Sequence, residues 1–298
     1  MTNETLTVLL QKCVQEKAQD LYFRPIPTGW VVIARLATRL QTLQTVTESE
    51  GHQWLNQLKY QAGMDISETR RPQTGRMSLT VEKAIIYLRL ATVGDFLNRE
   101  SLVVRFIYPI GTTYHCDDSQ ILTHLNRLIQ QPGLLLFAGP TGSGKTTSLY
   151  YLAEQVMADK MVVAIEDPIE IQQPAFLQLQ VNEAAGLSYA ALLKISLRLR
   201  PDTLIIGEIR DLQTAQHAIS AALSGHLVLS TIHARSTIGV IDRLLDLGIS
   251  RAQLMACLVG VAYQSLVVDG QKVAAHYELA TGQQLEEETC ETTVNGSI

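Results

Sequence analysis

Hydrophobic positions in the first hundred residues change period several times. Over residues 6–21 the apolar side chains Leu6, Leu9, Leu10, Cys13, Val14 and Leu21 recur at helical spacing, which predicts an opening amphipathic helix. Residues 29–35 and 40–46 read as strands, and 53–62, carrying Trp54, Leu55 and Leu58, as a helix. Pro72-Gln73-Thr74-Gly75 reads as a turn, and 84–93 and 102–108, rich in Ile, Val, Leu and Tyr, as two more strands. Residues 1–108 therefore predict a small α+β domain, a central antiparallel sheet with flanking helices.

Pro109-Ile110-Gly111-Thr112-Thr113 opens a linker expected over 109–118, followed by a helix over 119–130 that Gln131-Pro132-Gly133 breaks. Beyond Gly133 the texture changes. Short continuous apolar runs at 134–138, 161–165, 203–207 and 226–230 alternate with helix patterns at 189–200, ended by Pro201, and 212–223, ended near Gly225. Unbroken apolar runs suit strands buried on both faces, hence a parallel sheet covered by helices. The expected fold class is α/β, with the strand over 203–207 beside that over 134–138 and a site at the carboxyl ends of the strands, where open sheets bind ligands. This second domain is expected over 119–280. Residues 281–298, with Glu286, Glu287 and Glu288 in succession, read as a flexible acidic tail.

One strand end carries unmistakable chemistry. Gly139-Pro140-Thr141-Gly142-Ser143-Gly144-Lys145-Thr146-Thr147 fits the phosphate-loop pattern G-x-x-x-x-G-K-[ST] and directly follows the run 134–138. A buried strand, a glycine loop and a helix starting near Lys145 aim backbone N–H groups and a helix N-terminus at one point, which suits a polyphosphate. Gly139, Gly142 and Gly144 can take backbone angles closed to other residues and admit phosphate oxygens closely. Lys145 adds positive charge near the β and γ phosphates, and the Thr146 hydroxyl is a ligand for Mg²⁺. ATP with Mg²⁺ is the expected cofactor pair.

Composition narrows the setting. The 298 residues are 46% hydrophobic and 18% charged, enough for two real cores. A net charge of −5 gives no global basic footprint, so direct DNA binding is not expected. No apolar run reaches a membrane span of about 18 residues, and Met1-Thr2-Asn3-Glu4 lacks the positive flank of a signal peptide, so a cytoplasmic protein is expected. Cys13, Cys116, Cys257 and Cys290 show no C-x-x-C spacing; neither zinc nor a disulfide framework is expected.

Three further strand ends carry polar groups. Ile165-Glu166-Asp167-Pro168-Ile169-Glu170 is an acidic cluster after one strand; Gly207-Glu208-Ile209-Arg210-Asp211 places Glu208 after another. Carboxylates so placed can hold Mg²⁺ through water, as expected of Glu208, and can orient or deprotonate an attacking water. The strand in Gly225-His226-Leu227-Val228-Leu229-Ser230-Thr231-Ile232-His233 is bracketed by His226 and His233, either of which could steady a γ-phosphate by hydrogen bonding. Taken without context, a histidine is ordinarily structural.

In order and spacing these four segments closely resemble the Walker A, Asp box, Walker B and His box of the type II secretion and type IV pilus ATPases. Ala18-Gln19-Asp20-Leu21-Tyr22 and Arg71-Pro72-Gln73-Thr74-Gly75-Arg76 look like pieces of that family's N-terminal PAS-like domain, so the resemblance covers nearly the whole chain. It implies a C-terminal RecA-like P-loop NTPase domain with a smaller N-terminal α+β PAS-like domain, assembled as a homo-hexamer with nucleotide held between the two. It also implies that Arg76 and Arg89 reach the phosphates, a job suited to a permanently charged guanidinium. The implied partner is a polytopic inner-membrane platform protein, through which the ring attaches peripherally to the cytoplasmic membrane face.

Compact build and His233-Ala234-Arg235 look most like the branch that assembles competence pseudopili for DNA uptake; a retraction or secretion motor is the alternative within the family. Two departures stand out. Arg200 precedes Pro201-Asp202 where the family commonly has an acid, and Ser265 stands for a usual arginine. Outside the family, a P-loop kinase and a nucleotide-sensing protein that does not hydrolyse remain open; intact Glu208 argues against the second.

Overall fold

The computed structural model describes residues 5–36, 39–82, 84–108, 114–156, 160–269, 272–281 and 284–285. The chain divides into two compact units, Met1–Pro109 and Ile110–Ile298.

In the first unit α1 (Leu6–Gln15) precedes β1 (Asp20–Ile26), β2 (Gly29–Leu36) and β3 (Arg39–Val46). Then come α2 (Glu48–Gln61), β4 (Gln73–Val81), β5 (Ala84–Gly94) and β6 (Glu100–Ile107). The strands form a 6-stranded sheet in the order β3-β2-β1-β6-β5-β4, antiparallel throughout. Alternate positions of β5 and β6, such as Leu88, Leu90, Leu102 and Val104, point into a core shared with Leu9 of α1 and Leu55 and Leu58 of α2. α2 starts on a reciprocal cap in which Thr47 and Glu50 each bond the other's backbone N–H.

Two expectations here need correction. The opening helix stops at Gln15, the chain reverses through Lys17 at φ 56°, and Leu21 is a buried residue of β1 instead of a further helical turn. Its helical spacing is a coincidence of two elements burying side chains in one core. The stretch read as a turn at 72–75 enters strand β4: a Cβ on Gly75 would lie 2.6 Å from Ala62 O, so this glycine admits the end of α2 against the sheet. Arg76 N–H then donates to that same carbonyl.

The second unit runs α3 (Ser119–Leu128), β7 (Gly133–Ala138), α4 (Lys145–Val156), β8 (Val162–Glu166), β9 (Leu177–Gln180), α5 (Tyr189–Ser196) and β10 (Thr203–Ile206). It continues through α6 (Leu212–Leu223), β11 (Leu227–Ile232), α7 (Thr237–Asp246), α8 (Arg251–Met255), β12 (Leu258–Asp269) and β13 (Lys272–Thr281). The 7-stranded sheet has the order β13-β12-β7-β11-β10-β8-β9. All pairs are parallel except β12 with β13.

Alternate residues of β7 divide between two cores. Leu134, Leu136 and Ala138 join the residues of α5, α6 and α7 on one face; Leu135 and Phe137 join those of α3 and α4 on the other. The unit is a three-layer helix–sheet–helix arrangement, which the continuous apolar runs required.

Spatial order departs from the expected one. β10 does not lie beside β7: β11 is inserted between them. The helix over 189–200 ends at Ser196, passes through a single 3₁₀ turn and closes on Arg200 at φ 52°, since a residue before proline disfavours the helical conformation. Residues 114–118 of the expected linker belong to this unit, with Cys116 bridged to Ala275 and Asp117 N–H bonded to the Ala275 carbonyl. Linker residues 109–113 lie outside the described residues, as do Glu286, Glu287 and Glu288, but Leu285 of the expected tail is fully buried. No described helix is long and apolar enough to cross a membrane.

Candidate functional site

At the carboxyl end of β7 the chain passes Gly139 at φ 141°, where a Cβ would lie 2.2 Å from Gln264 O of β12. The loop is thereby pinned against the neighbouring strand. Gln264, almost fully buried, reinforces the contact by donating from Nε2 to Ser143 O at 2.7 Å. Gly142 and Gly144, at φ 81° and 85°, also need glycine's left-handed freedom. Pro140, Thr141 and Gly142 are exposed, as is Thr147 in the first turn of α4.

Lys145 Nζ donates to Gly139 O and Pro140 O, each at 2.9 Å. Burial lowers its pKa, while Glu208 and Glu170 favour its charged form. Ser143 Oγ is buried with no hydrogen-bond partner. A buried hydroxyl with free donor capacity, a lysine ammonium and open space beyond Gly142 suit phosphate oxygens. Thr146 Oγ1 donates to Glu170 Oε2 at 3.2 Å. The described residues contain no cluster of three or more His, Cys, Asp and Glu able to hold a metal. That is compatible with Mg²⁺, which is commonly bound through one or two protein oxygens and the substrate's phosphates.

Glu166 ends β8 and is buried. Its carboxylate accepts from Tyr150 Oη of α4 and from the Glu170 backbone N–H. Burial, aided by the Glu170 charge, pushes its pKa up to about 7 against those two hydrogen bonds. Gly207 leaves room for it: a Cβ there would meet Glu166 Cγ at 3.1 Å. Glu208, two residues past β10, accepts from Arg210 Nε at 2.8 Å and faces His233 Nε2 at 3.3 Å.

The parallel registers bring the phosphate loop, Glu166, Glu208 and His233 to one edge of the sheet. His226 does not join them. It precedes β11 at the opposite edge, where Leu227 pairs with Gly133, about 20 Å of strand away from Ile232 and Ala138. Its Nδ1 bonds Ala221 O at 3.0 Å, closing the end of α6. A parallel strand separates its two ends by its whole length, so of these two histidines it is His233 that lies beside Glu208.

In the other unit Arg76 and Arg89 are direct cross-strand partners. The row continues through Arg105, Asp20 and Arg35. Sequence reasoning left out Arg105, Tyr150 and Gln264. Tyr150 was discoverable, lying one helical turn beyond Thr146; the other two depend on strand register.

A doubly covered, largely parallel sheet with a phosphate loop and carboxylates at its strand ends is the architecture of the secretion ATPases. The fold matches the ATPase DotB of Legionella pneumophila with a TM-score of 0.76, at 18% identity over 96% of this chain and 85% of that one. It also matches the pilus retraction motor PilT, a structure with bound ADP, with a TM-score of 0.72 at 22% identity over 98% of this chain and 89% of that one.

The chain belongs to the type II/IV secretion system protein family, whose model it matches over residues 1–297. It is 41% identical over 270 residues to competence protein ComGA of Streptococcus pneumoniae, covering 91% of this chain and 86% of that protein. Identity to competence protein ComGA of Bacillus subtilis is 36% over 266 residues, covering 87% and 74%.

Proposed function

We propose that this chain is a hexameric motor that hydrolyses Mg-ATP to drive assembly of a type II secretion-like pseudopilus for DNA uptake. The observation that carries the reading is the convergence of Lys145, Thr146, Glu166, Glu208 and His233 on one sheet edge, in a chain with ComGA relatives on either side of 40% identity.

In this reading residues 139–147 bind the nucleotide. Lys145 exchanges its loop carbonyls for phosphate oxygens, and Ser143 Oγ gains the partner it lacks. The Thr146 hydroxyl and, through water, Glu208 would hold Mg²⁺, which neutralises charge on the phosphates when bound. Glu208 and Glu166 orient and deprotonate the attacking water, and His233 holds Glu208 in place. Arg76 and Arg89 supply guanidinium groups to the γ-phosphate. Such contacts drive movement because they favour one arrangement of the protein over another only while the γ-phosphate is present.

The PAS-like and RecA-like character of the two units, the platform partner, peripheral attachment to the cytoplasmic membrane face and the absence of zinc belong to the same proposal. Replacing Glu208 by Gln tests it: nucleotide affinity should stay within about threefold while turnover falls at least a hundredfold. Unchanged phosphate release from E208Q would remove Glu208 from the mechanism.

A further inference from the structure

Three side chains of α4 fall at four-residue intervals: Thr146, Tyr150 and Glu154. This spacing puts all three on one stripe of the helix. Each meets the segment between Glu166 and Gln178. Thr146 Oγ1 donates to Glu170, Tyr150 Oη donates to Glu166, and Glu154 accepts from Gln173 Nε2. The segment is thus fastened along the same helix whose N-terminus faces the phosphate loop.

Tyr150 is the central tie and the one that reaches the strand-end acid. Its side chain is fully buried. The ring lies against Phe176, centroids 5.6 Å apart, and its hydroxyl accepts from Gln178 Nε2 at 2.8 Å while donating to Glu166 Oε1. Gln178 is itself anchored, donating to Ile171 O at 2.7 Å and accepting from Gln173 N–H at 2.9 Å. A phenol with both its donor and acceptor functions satisfied can rotate only by breaking two buried hydrogen bonds. The carboxylate it holds inherits that rigidity.

We propose that Tyr150 is a positioning residue of the hydrolytic reaction, fixing the Glu166 carboxylate at the sheet edge and coupling it to the helix that starts at Lys145. This inference rests on the reading that Glu166 acts on the attacking water. The groups facing Glu166 are Tyr150 from α4, Glu170 from the following loop and Tyr189 from α5. The Tyr150 bond stabilises the ionised carboxylate and opposes the burial that raises its pKa to about 7. Removing the bond shifts the acid limb of turnover to higher pH.

The experiment measures kcat, KM and the kcat–pH profile of full-length Y150F, Y150W and E166Q, with affinity for a fluorescent ADP analogue as control. For Y150F we expect ADP affinity within about twofold, a kcat about tenfold lower at pH 7 and an acid limb displaced upward by about one pH unit. Y150W, which fills the space without a phenol, should lose at least as much. Normal kcat and an unmoved acid limb in Y150F, with E166Q inactive, would overturn the role of Tyr150 while leaving Glu166 in place. Full turnover in E166Q would instead overturn the reading of Glu166 beneath it. If Y150F fails to fold, Y150M, which also lacks the hydroxyl, replaces it: the same upward displacement supports the proposal, and an unmoved limb overturns it.

Discussion

Glu166 shows how strongly position alters a residue's chemistry. Its pKa rises from 4.5 to about 7 because burial removes more solvation than two hydrogen bonds restore. The consequence for stability has a definite sign. Between these values the unfolded chain has lost the proton that the folded chain retains, so stability falls as pH rises through the window. Above it the cost approaches about 3 kcal/mol. E166Q should therefore melt higher than the parent protein at pH 8, with the difference closing towards pH 5, as followed by calorimetry. Equal melting at both values would mean that the carboxylate is better solvated than its surroundings indicate. Lys145 makes a similar case: burial lowers its pKa, while the acids Glu208 and Glu170 oppose that shift and its ammonium donates to two loop carbonyls.

Among elements, the exposed face of the antiparallel sheet depends on one acid. Asp20, 4% exposed, stands in the cross-strand row between Arg105 and Arg35 and bonds both, at 2.9 and 3.4 Å. Tyr22 Oη also bonds Asp20 and accepts from Arg35 Nε. Asp20 is the one acid in a row that otherwise sets Arg76, Arg89 and Arg105 side by side, so removing it leaves the like charges uncompensated. D20A should destabilise this unit by about 2 kcal/mol, and more at low ionic strength. Both tryptophans, Trp30 and Trp54, lie in this unit, so their fluorescence during urea unfolding of the full chain reports on it selectively. An unchanged midpoint would show that the row is held by backbone pairing alone. The phosphate loop has a harsher constraint: G139A would drive a Cβ into Gln264 O, and loss of ADP binding is expected in a direct titration.

For the whole molecule, the proposed ring and its indirect part in DNA uptake lead to two measurements. Light scattering with a non-hydrolysable ATP analogue should give a mass near six times 32.9 kDa; a monomer at micromolar protein would contradict the ring. With a net charge of −5, the purified protein should show no salt-dependent retention on DNA. Retention that weakens with salt would point to a local basic surface such as the row containing Arg76, Arg89 and Arg105.

The sequence by itself determined the chemistry that is local in the chain. A strand, glycine loop and helix in succession place Gly139 to Thr147, and short apolar runs announce buried strands because every residue of β7, β8 and β11 is covered on both faces. Half-exposed β9 and the irregular entry into β4 sent no such signal. Tertiary structure decided what depends on lateral order and register: the insertion of β11 beside β7, the removal of His226 to the far edge, and the meeting of Tyr150 with Glu166. Local patterns encode which faces are buried, whereas neighbours across a sheet are chosen by the packing of the whole unit.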